Sequence, residues 1–324
     1  MRRPLIAVLL LVTVATVWLL MPPPAVQQAA ARDASSYEEA FARWQGLRAA
    51  DALALTPGCE SRALLQGARA PRAVLLLHGI TNCPLQFAAL AESLHATGDN
   101  VLVPRLPRHG LADRMTVELA SLRAEEVAGL VAECVGVARG FGDTVVVVGL
   151  SLTGVATAWA ADNLADVDRA IVIAPAFAPP WRPAWLAPLA TRLSLRLPNV
   201  FVWWDDAKEE RLEGPRQCYP RFSTRAMGEG YRFGGQVMVD ATRGAPRARS
   251  LWIFTTADDR AVDNVRAATL ARHWRNAGAT VNEYQFAAGD SIVHDMIDPA
   301  QVGARVARVY PVLLAAIRGA PLPR

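Results

Sequence analysis

The sequence predicts an α/β protein with a doubly wound, mostly parallel sheet. Segments that are apolar throughout alternate with helical segments over residues 73–175 and again over 250–324, and strands of this kind are buried on both faces of a parallel sheet. A chain of 324 residues is long enough to bury such a core. With 52% hydrophobic and 20% charged residues, the composition is that of a globular protein.

Residues 5–21 form an apolar run without a charge, directly after Arg2 and Arg3. This pattern predicts an export signal with the arginines on the cytoplasmic side. The run is shorter than a full span of roughly 20 residues and longer than the apolar part of most cleaved signals. We expect an uncleaved inner-membrane anchor within a segment 1–31, with a cleaved signal peptide and secretion as the alternative. The remainder would then lie in the periplasm or at the cell exterior.

The chain after this segment divides into an extension and an interrupted core. Residues 32–72 are predicted as a helical extension, because an amphipathic helix over 35–53 ends before Pro57 and Gly58. The predicted core helices have apolar residues at three- and four-residue spacing, and the first has Pro84 in its first turn and Gly98 at its end. The predicted core strands are 73–79, 100–104, 144–149, 169–175, 250–256 and 280–286, and the predicted core helices are 84–98, 116–142, 152–166, 265–278 and 300–319.

The alternation stops over residues 176–249, which are rich in proline and aromatic residues and contain the pair Trp203-Trp204. A structureless loop of that length is unusual in a compact domain. We therefore expect an insertion, helical or irregular, that forms a cap beside the strand ends, with a solvent-facing appendage as the alternative.

Charge and cysteine content limit the partners. The net charge of +4 is carried by arginines, Lys208 being the one lysine, and no basic stripe is interleaved with aromatic residues. Nucleic-acid binding is therefore not expected. The four cysteines lack zinc-site spacing, and we expect no metal or organic cofactor. In an oxidising compartment we expect one disulfide, Cys59 to Cys83, with a bridge that includes Cys218 as the rival and Cys134 as a buried hydrophobe.

The stretch TVVVVGLSLTG, residues 144–154, places Ser151 between a β-branched strand and a helix rich in small residues. A serine at a sharp strand-to-helix turn is typical of a nucleophile elbow. The usual pattern has glycine two residues after the serine, whereas Thr153 stands there and Gly154 comes one residue later. Ser151 is thus a candidate nucleophile that needs a base and an acid elsewhere in the chain.

The candidate base is His294. It follows the last predicted strand, in GDSIVHDMIDP, and a loop at that point opens at the carboxyl edge of the sheet, where such sites form. His95 and His273 lie within predicted helices and are expected to be ordinary surface or packing residues. His78 ends the first core strand, and we expect it to shape the following loop through a hydrogen bond.

The candidate acid lies after strand 250–256, in TTADDRAVDN. A position there gives the chain order serine, acid, histidine. Asp259 is preferred, because Val262 can anchor the loop with that carboxylate turned inward, and Asp258 remains the alternative. Asp263 is expected to cap the next helix.

Two backbone amides are expected to stabilise an oxyanion. The amide of Leu152 directly follows the candidate nucleophile at a helix start. The second amide is expected from HGITNCP, the loop after the first core strand, with Ile80 as the candidate.

The segments LLLHGITNCPLQF, VPRLPRHG, VVGLSLTG, TTADDRAV and VHDMIDP, in this order, resemble the α/β-hydrolase superfamily and in particular its carboxylesterase and monoacylglycerol-lipase-like branch. The resemblance runs from residue 73 to the C-terminus, interrupted by the insertion. It implies the α/β-hydrolase fold and the five site residues in the roles given above, with His109 and Gly110 shaping the pocket. Thr153 departs from the family pattern at a position that is usually small, so the local packing there differs.

The sequence therefore predicts a serine hydrolase, a carboxylesterase or lipase, that cleaves a small-molecule carboxylic ester through an acyl-enzyme. A thioesterase or acyltransferase would use the same triad. A non-catalytic binding protein on the same fold is the alternative from another class.

Overall fold

The computed structural model describes residues 10, 13–14, 16–27, 29–49, 54–178, 186–205, 215 and 217–323. A seven-stranded sheet has the order β1-β3-β2-β4-β5-β8-β9. Its strand pairs are parallel, except that β1 runs antiparallel to β3, so the predicted mostly parallel sheet is confirmed. The strands of the chain are β1 (Arg62–Leu64), β2 (Ala70–Leu77), β3 (Asn100–Val103), β4 (Gly142–Leu150), β5 (Arg169–Ile173), β6 (Phe201–Trp203), β7 (Arg221–Ser223), β8 (Ser250–Thr256) and β9 (Val281–Phe286).

Helices cover both faces of this sheet. They are α1 (Tyr37–Ala49), α2 (Ala88–His95), α3 (Ala124–Phe141), α4 (Leu152–Asn163), α5 (Ala187–Arg196), α6 (Thr224–Arg243), α7 (Asn264–Asn276) and α8 (Val306–Arg318), with 3₁₀ turns at Pro84–Phe87 and Glu118–Ser121. The last helix begins six residues later than predicted, because turns precede it and Gly303 has a left-handed φ of 76°. The long helix predicted from 116 is divided by the second 3₁₀ turn and begins at Ala124.

The central strand β4 shows why the sheet is buried on both faces. Val145 and Val147 belong to one hydrophobic cluster, with α3 and α4, whereas Val146 and Val148 belong to a second one, with α2 and α8. All four side chains are fully buried. The continuous apolar run is therefore divided between two cores by the alternation of the strand.

Two features lie outside the predicted element pattern. The extension 32–72 contributes not only α1 but also the edge strand β1, and a two-stranded antiparallel hairpin, β6 and β7, stands between β5 and β8 together with α5 and α6. A disulfide joins Cys59 to Cys83, as expected, and Cys134 is buried.

The predicted anchor, residues 5–21, lies partly outside the described residues, which in this stretch are 10, 13–14 and 16–21. Among those that are described, no helix is both long and apolar enough to cross a membrane.

Candidate active site

Ser151 occupies the turn between β4 and α4 with φ 63° and ψ −118°. This conformation is rare for any residue except glycine and is maintained only where the surroundings impose it. Two glycines allow the close packing. A Cβ at Gly149 would lie 2.2 Å from the carbonyl oxygen of Thr153, and one at Gly154 would lie 2.8 Å from the carbonyl oxygen of Ile173. The glycines at 149 and 154 therefore let the helix leave the strand this sharply.

Thr153 acts as a hydrogen-bonding residue at this turn. It is fully buried. Its Oγ1 lies 2.6 Å from the carbonyl oxygen of Leu77 and 2.9 Å from that of Leu150, and it accepts a hydrogen bond from the Leu150 amide at 3.0 Å. The hydroxyl thus joins the ends of β2 and β4, which explains why threonine fits where a smaller residue is usual.

His294 and Asp259 form a hydrogen-bonded pair. His294 Nδ1 lies 2.9 Å from Asp259 Oδ2, and the Asp259 carboxylate is fully buried. The other oxygen of Asp259 accepts hydrogen bonds from the amides of Ala261 and Val262, so the carboxylate is fixed in place.

The two neighbouring aspartates of this loop have other contacts. Asp258 is exposed and accepts from the Gly289 amide. Asp263 caps α7 by accepting from Val265. Of the three candidate carboxylates, the structure therefore brings Asp259 to the histidine.

A second carboxylate lies beside this pair. Burial alone would lower the pKa of His294, but the hydrogen bond that it donates to Asp259 and the charges of Asp259 and Asp295 raise this pKa above its ordinary value. Burial likewise raises the pKa of Asp295. Gln86, fully buried, donates through Nε2 to Asp295 at 2.9 Å and accepts the Gly79 amide through Oε1 at 2.8 Å. Gln86 thus links the loop after β9, which carries His294, to the loop after β2.

His78 has a structural position, as expected from the sequence. Its Nε2 accepts a hydrogen bond from the Leu106 amide at 3.0 Å, which leaves Nδ1 to donate to the Gly79 carbonyl. Burial lowers its pKa well below the ordinary value, and it lowers the pKa of the neighbouring His109 to about 4. Both rings are therefore neutral at neutral pH, and neither is placed to serve Ser151.

The candidate oxyanion amides come from the loop after β2, at Ile80, and from the start of α4, at Leu152. Neither the Ile80 amide nor the Leu152 amide donates to a protein acceptor among the described residues. Leu152 is the first residue of α4, where the amides have no intrahelical partner and carry the positive end of the helix dipole. Both groups are thus free to bind a negatively charged oxygen.

Ser151, Asp259, His294 and Ile80 line a cavity of about 1570 Å³. The segment between β5 and β8 contributes many further residues to its lining. The residues contributed by that segment include Leu186, Leu189, Ala190, Leu193, Val202, Trp203, Trp204, Tyr219, Phe222, Met227 and Tyr231. Ser151 and His294 both line the cavity, although no hydrogen bond joins them in the described structure. In enzymes without substrate such bonds are often long and tighten on binding.

Three polar contacts of the site were not predicted. Gln86 and Thr81 lie in the loop segment HGITNCPLQF, and Asp295 directly follows the candidate base. The only signal for Asp295 is its place beside a candidate base, since a carboxylate next to a histidine affects the histidine pKa. Gln86 and Thr81 become visible only when their distant partners are known. No group of three or more potential metal ligands is found among the described residues.

Comparison with known proteins points to one fold family. The model of a family described as "Alpha/beta hydrolase family" matches residues 74–320. A structure reported for LipS and LipT, two metagenome-derived lipolytic enzymes, is 21% identical with a TM-score of 0.61, covering 82% of this chain and 99% of that one. A monoacylglycerol lipase of Paleococcus ferrophilus is 15% identical with a TM-score of 0.58, covering 80% and 98%. At these identities the likeness concerns the fold. No curated protein gives a significant match.

Proposed function

The chain belongs to the alpha/beta hydrolase family, and from this premise we propose that it is a serine hydrolase that cleaves carboxylic esters with Ser151, His294 and Asp259. The observation that carries the proposal is the pairing of His294 with the buried carboxylate of Asp259, in the cavity that Ser151 also lines. The similar structures are described as lipolytic enzymes and a monoacylglycerol lipase, which favours an ester as the substrate.

The tautomer of His294 suits a general base. Asp259 accepts the Nδ1 proton, so the lone pair of the neutral ring is on Nε2, where it can accept the hydroxyl proton of Ser151. The carboxylate also stabilises the imidazolium that forms when the proton is transferred. The raised pKa of His294 makes it a stronger base, which must be neutral before it can act.

The reaction proceeds in two balanced halves. Ser151 Oγ bonds to the acyl carbon as its proton moves to His294 Nε2, and the negative oxygen accepts hydrogen bonds from the Ile80 and Leu152 amides. Collapse of this intermediate breaks the bond to the alcohol, which leaves with the His294 proton. Water then adds to the acyl-enzyme by the same steps and releases the acid and free Ser151.

The segment between β5 and β8 would act as a cap. Its apolar side chains line the same cavity as Ser151, and an apolar lining with a few polar groups near the reacting carbon suits the acyl or alcohol chain of a neutral ester. We expect chain length to be selected by this lining.

A fluorophosphonate probe tests the proposed function, because it phosphonylates only an activated serine. We expect the folded protein to be labelled and to hydrolyse p-nitrophenyl esters of graded chain length. Both properties should be lost in Ser151→Ala and kept in Ser121→Ala, an exposed serine outside the cavity lining. Folded wild-type protein that neither labels nor turns over any of these esters would contradict the proposal.

We also propose that the hydrolase works outside the cytoplasm. The support is the Cys59–Cys83 disulfide, a bond that persists mainly in oxidising compartments, together with the apolar run 5–21 as an export signal. A fusion of the whole chain to alkaline phosphatase should be enzymatically active in cells, since that reporter needs an oxidising compartment. An inactive but intact fusion would place the chain in the cytoplasm.

A further inference from the structure

Thr81 is held in an unfavourable backbone conformation next to the candidate oxyanion amide. Its φ is 66°, in the left-handed region where β-branched residues are rarely found. Glycine or asparagine would be favoured there if only the turn mattered. Conformations of this kind persist where surrounding contacts impose them and occur preferentially at functional sites.

The contacts that hold Thr81 come from its own loop and from the β6–β7 hairpin. Its hydroxyl donates to the Ile80 carbonyl at 2.6 Å and accepts the indole N–H of Trp204 at 3.0 Å. Its carbonyl accepts the Tyr219 amide at 2.7 Å. Thr81 is therefore bound through both its side chain and its backbone, and each distant partner belongs to the same hairpin.

The two partners differ in how firmly they are fixed. Tyr219, just before β7, is buried, and its hydroxyl accepts the Leu111 amide and donates to the Arg108 carbonyl. Trp204, just after β6, is 48% exposed and lines the cavity. Tyr219 is thus anchored to the core, whereas Trp204 is accessible to a ligand in the cavity.

We propose that Thr81 and Trp204 are positioning residues that fix the Ile80 amide for the oxyanion, so that the oxyanion site is complete only while the hairpin is docked. The inference rests on the proposed function, because it assigns a task to two residues outside the triad. The Thr81 hydroxyl holds the carbonyl of the Ile80–Thr81 peptide, and Trp204 holds that hydroxyl. Without either contact the loop can rotate, and the Ile80 amide no longer faces the site where negative charge develops.

The test compares four variants on p-nitrophenyl butyrate. Thr81→Val keeps the shape and removes the hydroxyl, Trp204→Phe keeps an aromatic ring and removes the N–H, and Thr81→Ser keeps the hydroxyl. We expect the first two to lower kcat about 10-fold with KM within about twofold, less than the loss for deleting an oxyanion donor outright. Thr81→Ser should stay near wild type, and Trp252→Phe, on β8 and outside the cavity lining, serves as the matched control.

The double variant and an oxyanion mimic show whether the two residues act through one contact. The double variant Thr81→Val with Trp204→Phe should lose no more kcat than the stronger single variant, because both substitutions break the same chain of hydrogen bonds from Trp204 through the Thr81 hydroxyl to the Ile80 carbonyl. Affinity for a trifluoromethyl ketone, which forms an oxyanion on addition of the serine, should fall by the same factor as kcat. If the two single-variant losses of kcat multiply in the double variant, or if only KM changes, the inference is overturned.

Thr81→Gly separates stability from turnover. Glycine accepts the left-handed conformation, so the melting temperature should not fall, whereas kcat should drop as in Thr81→Val. A glycine variant with wild-type kcat would overturn the inference even if Thr81→Val failed to fold. If the wild type hydrolyses no ester, the proposed function fails and this inference with it; if the wild type is active and all variants match it, only this inference fails.

Discussion

The sheet and the segment between β5 and β8 are built in different ways. The central strands are buried almost completely, and their ends carry Ser151, Asp259 and His294. The inserted segment has a two-stranded hairpin of half-buried residues, and exposed apolar side chains such as Val200 and Trp204. The comparison indicates that the buried sheet positions the proposed reacting groups, while the less buried segment supplies much of the remaining cavity lining.

The two regions are nevertheless joined by buried contacts, and those of α6 are ionic and aromatic. Arg232 of α6 is 5% exposed and binds Glu229 of its own helix and Glu125 of α3. Phe233 of α6 packs on Trp159 of α4, with their ring centroids 5.8 Å apart. Helix α6 thus belongs energetically to the core, whereas α5 has mostly half-buried side chains, several of which line the cavity.

The largest expected effect lies at the core side of the cavity. Asp259→Asn should lower kcat on the order of 10⁴-fold, because an amide cannot hold His294 in the required tautomer. Asp258→Asn, at the adjacent exposed position, is the matched control and should change kcat by less than about twofold, in line with small surface effects. Steady-state kinetics on one ester measures both. Equal losses would show that Asp259 has no special role.

The second largest effect is expected on the free energy of unfolding, at the buried ion pairs that connect α6 to the core. Arg232→Met removes the cation with which both Glu229 and Glu125 are paired. Breaking a buried ion pair destabilises a folded protein by about 3–5 kcal/mol. Arg243→Met on the same helix, which removes an exposed pair with Asp240, should cost less than about 1 kcal/mol. Urea denaturation monitors both variants. If they are equally stable, α6 is not anchored through Arg232.

A pair of leucine truncations tests the division directly. Leu76→Ala in β2 should lower the free energy of unfolding by about 3 kcal/mol, because the side chain is fully buried. Leu193→Ala in α5 should cost less stability, since that side chain is half-buried and lines the cavity. We expect its effect in KM, rising with the length of the ester chain. The reverse pattern, stability lost at 193 and KM changed at 76, would contradict the division of roles.

The smallest expected effect concerns pH. Activity should rise with pH as His294 loses its proton, with a midpoint above the ordinary histidine pKa. Asp295→Asn removes a negative charge that favours the imidazolium, so the midpoint should move to lower pH by less than about one unit. The asparagine oxygen can still accept the Gln86 hydrogen bond. A pH profile of kcat/KM that moves to higher pH would contradict this sign.

The sequence predicted the groups that stand at strand ends and left open those that depend on contacts across the fold. Ser151 and His294 follow from the elements around them, because parallel strands end at one edge. The sequence favoured Asp259 and left Asp258 as the alternative, since only the turn after β8 decides which carboxylate points inward. Thr153 was identified as a departure from the pattern, but its hydrogen bond to the end of β2 depends on two segments distant in the chain.

The same reasoning applies to the insertion. Its place in the chain is visible as a break in the alternation, but short strands of three residues have no distinctive pattern. The contact of Trp204 with Thr81 joins residues 123 positions apart, and no local propensity predicts such a pair.

The turn at Ser151 separates the geometry of the proposed nucleophile from its chemical identity. The serine side chain makes no hydrogen bond that caps α4, and the φ of 63° arises where Gly149 and Gly154 allow strand and helix to pack closely. A cysteine or aspartate at 151 would therefore adopt the same backbone conformation and face the same cavity. A change of one codon can replace the hydroxyl at 151 by a thiol or a carboxylate, whereas Gly149 and Gly154 leave no room for a side chain. The chemical group at this turn can therefore change more easily in evolution than the backbone that holds it.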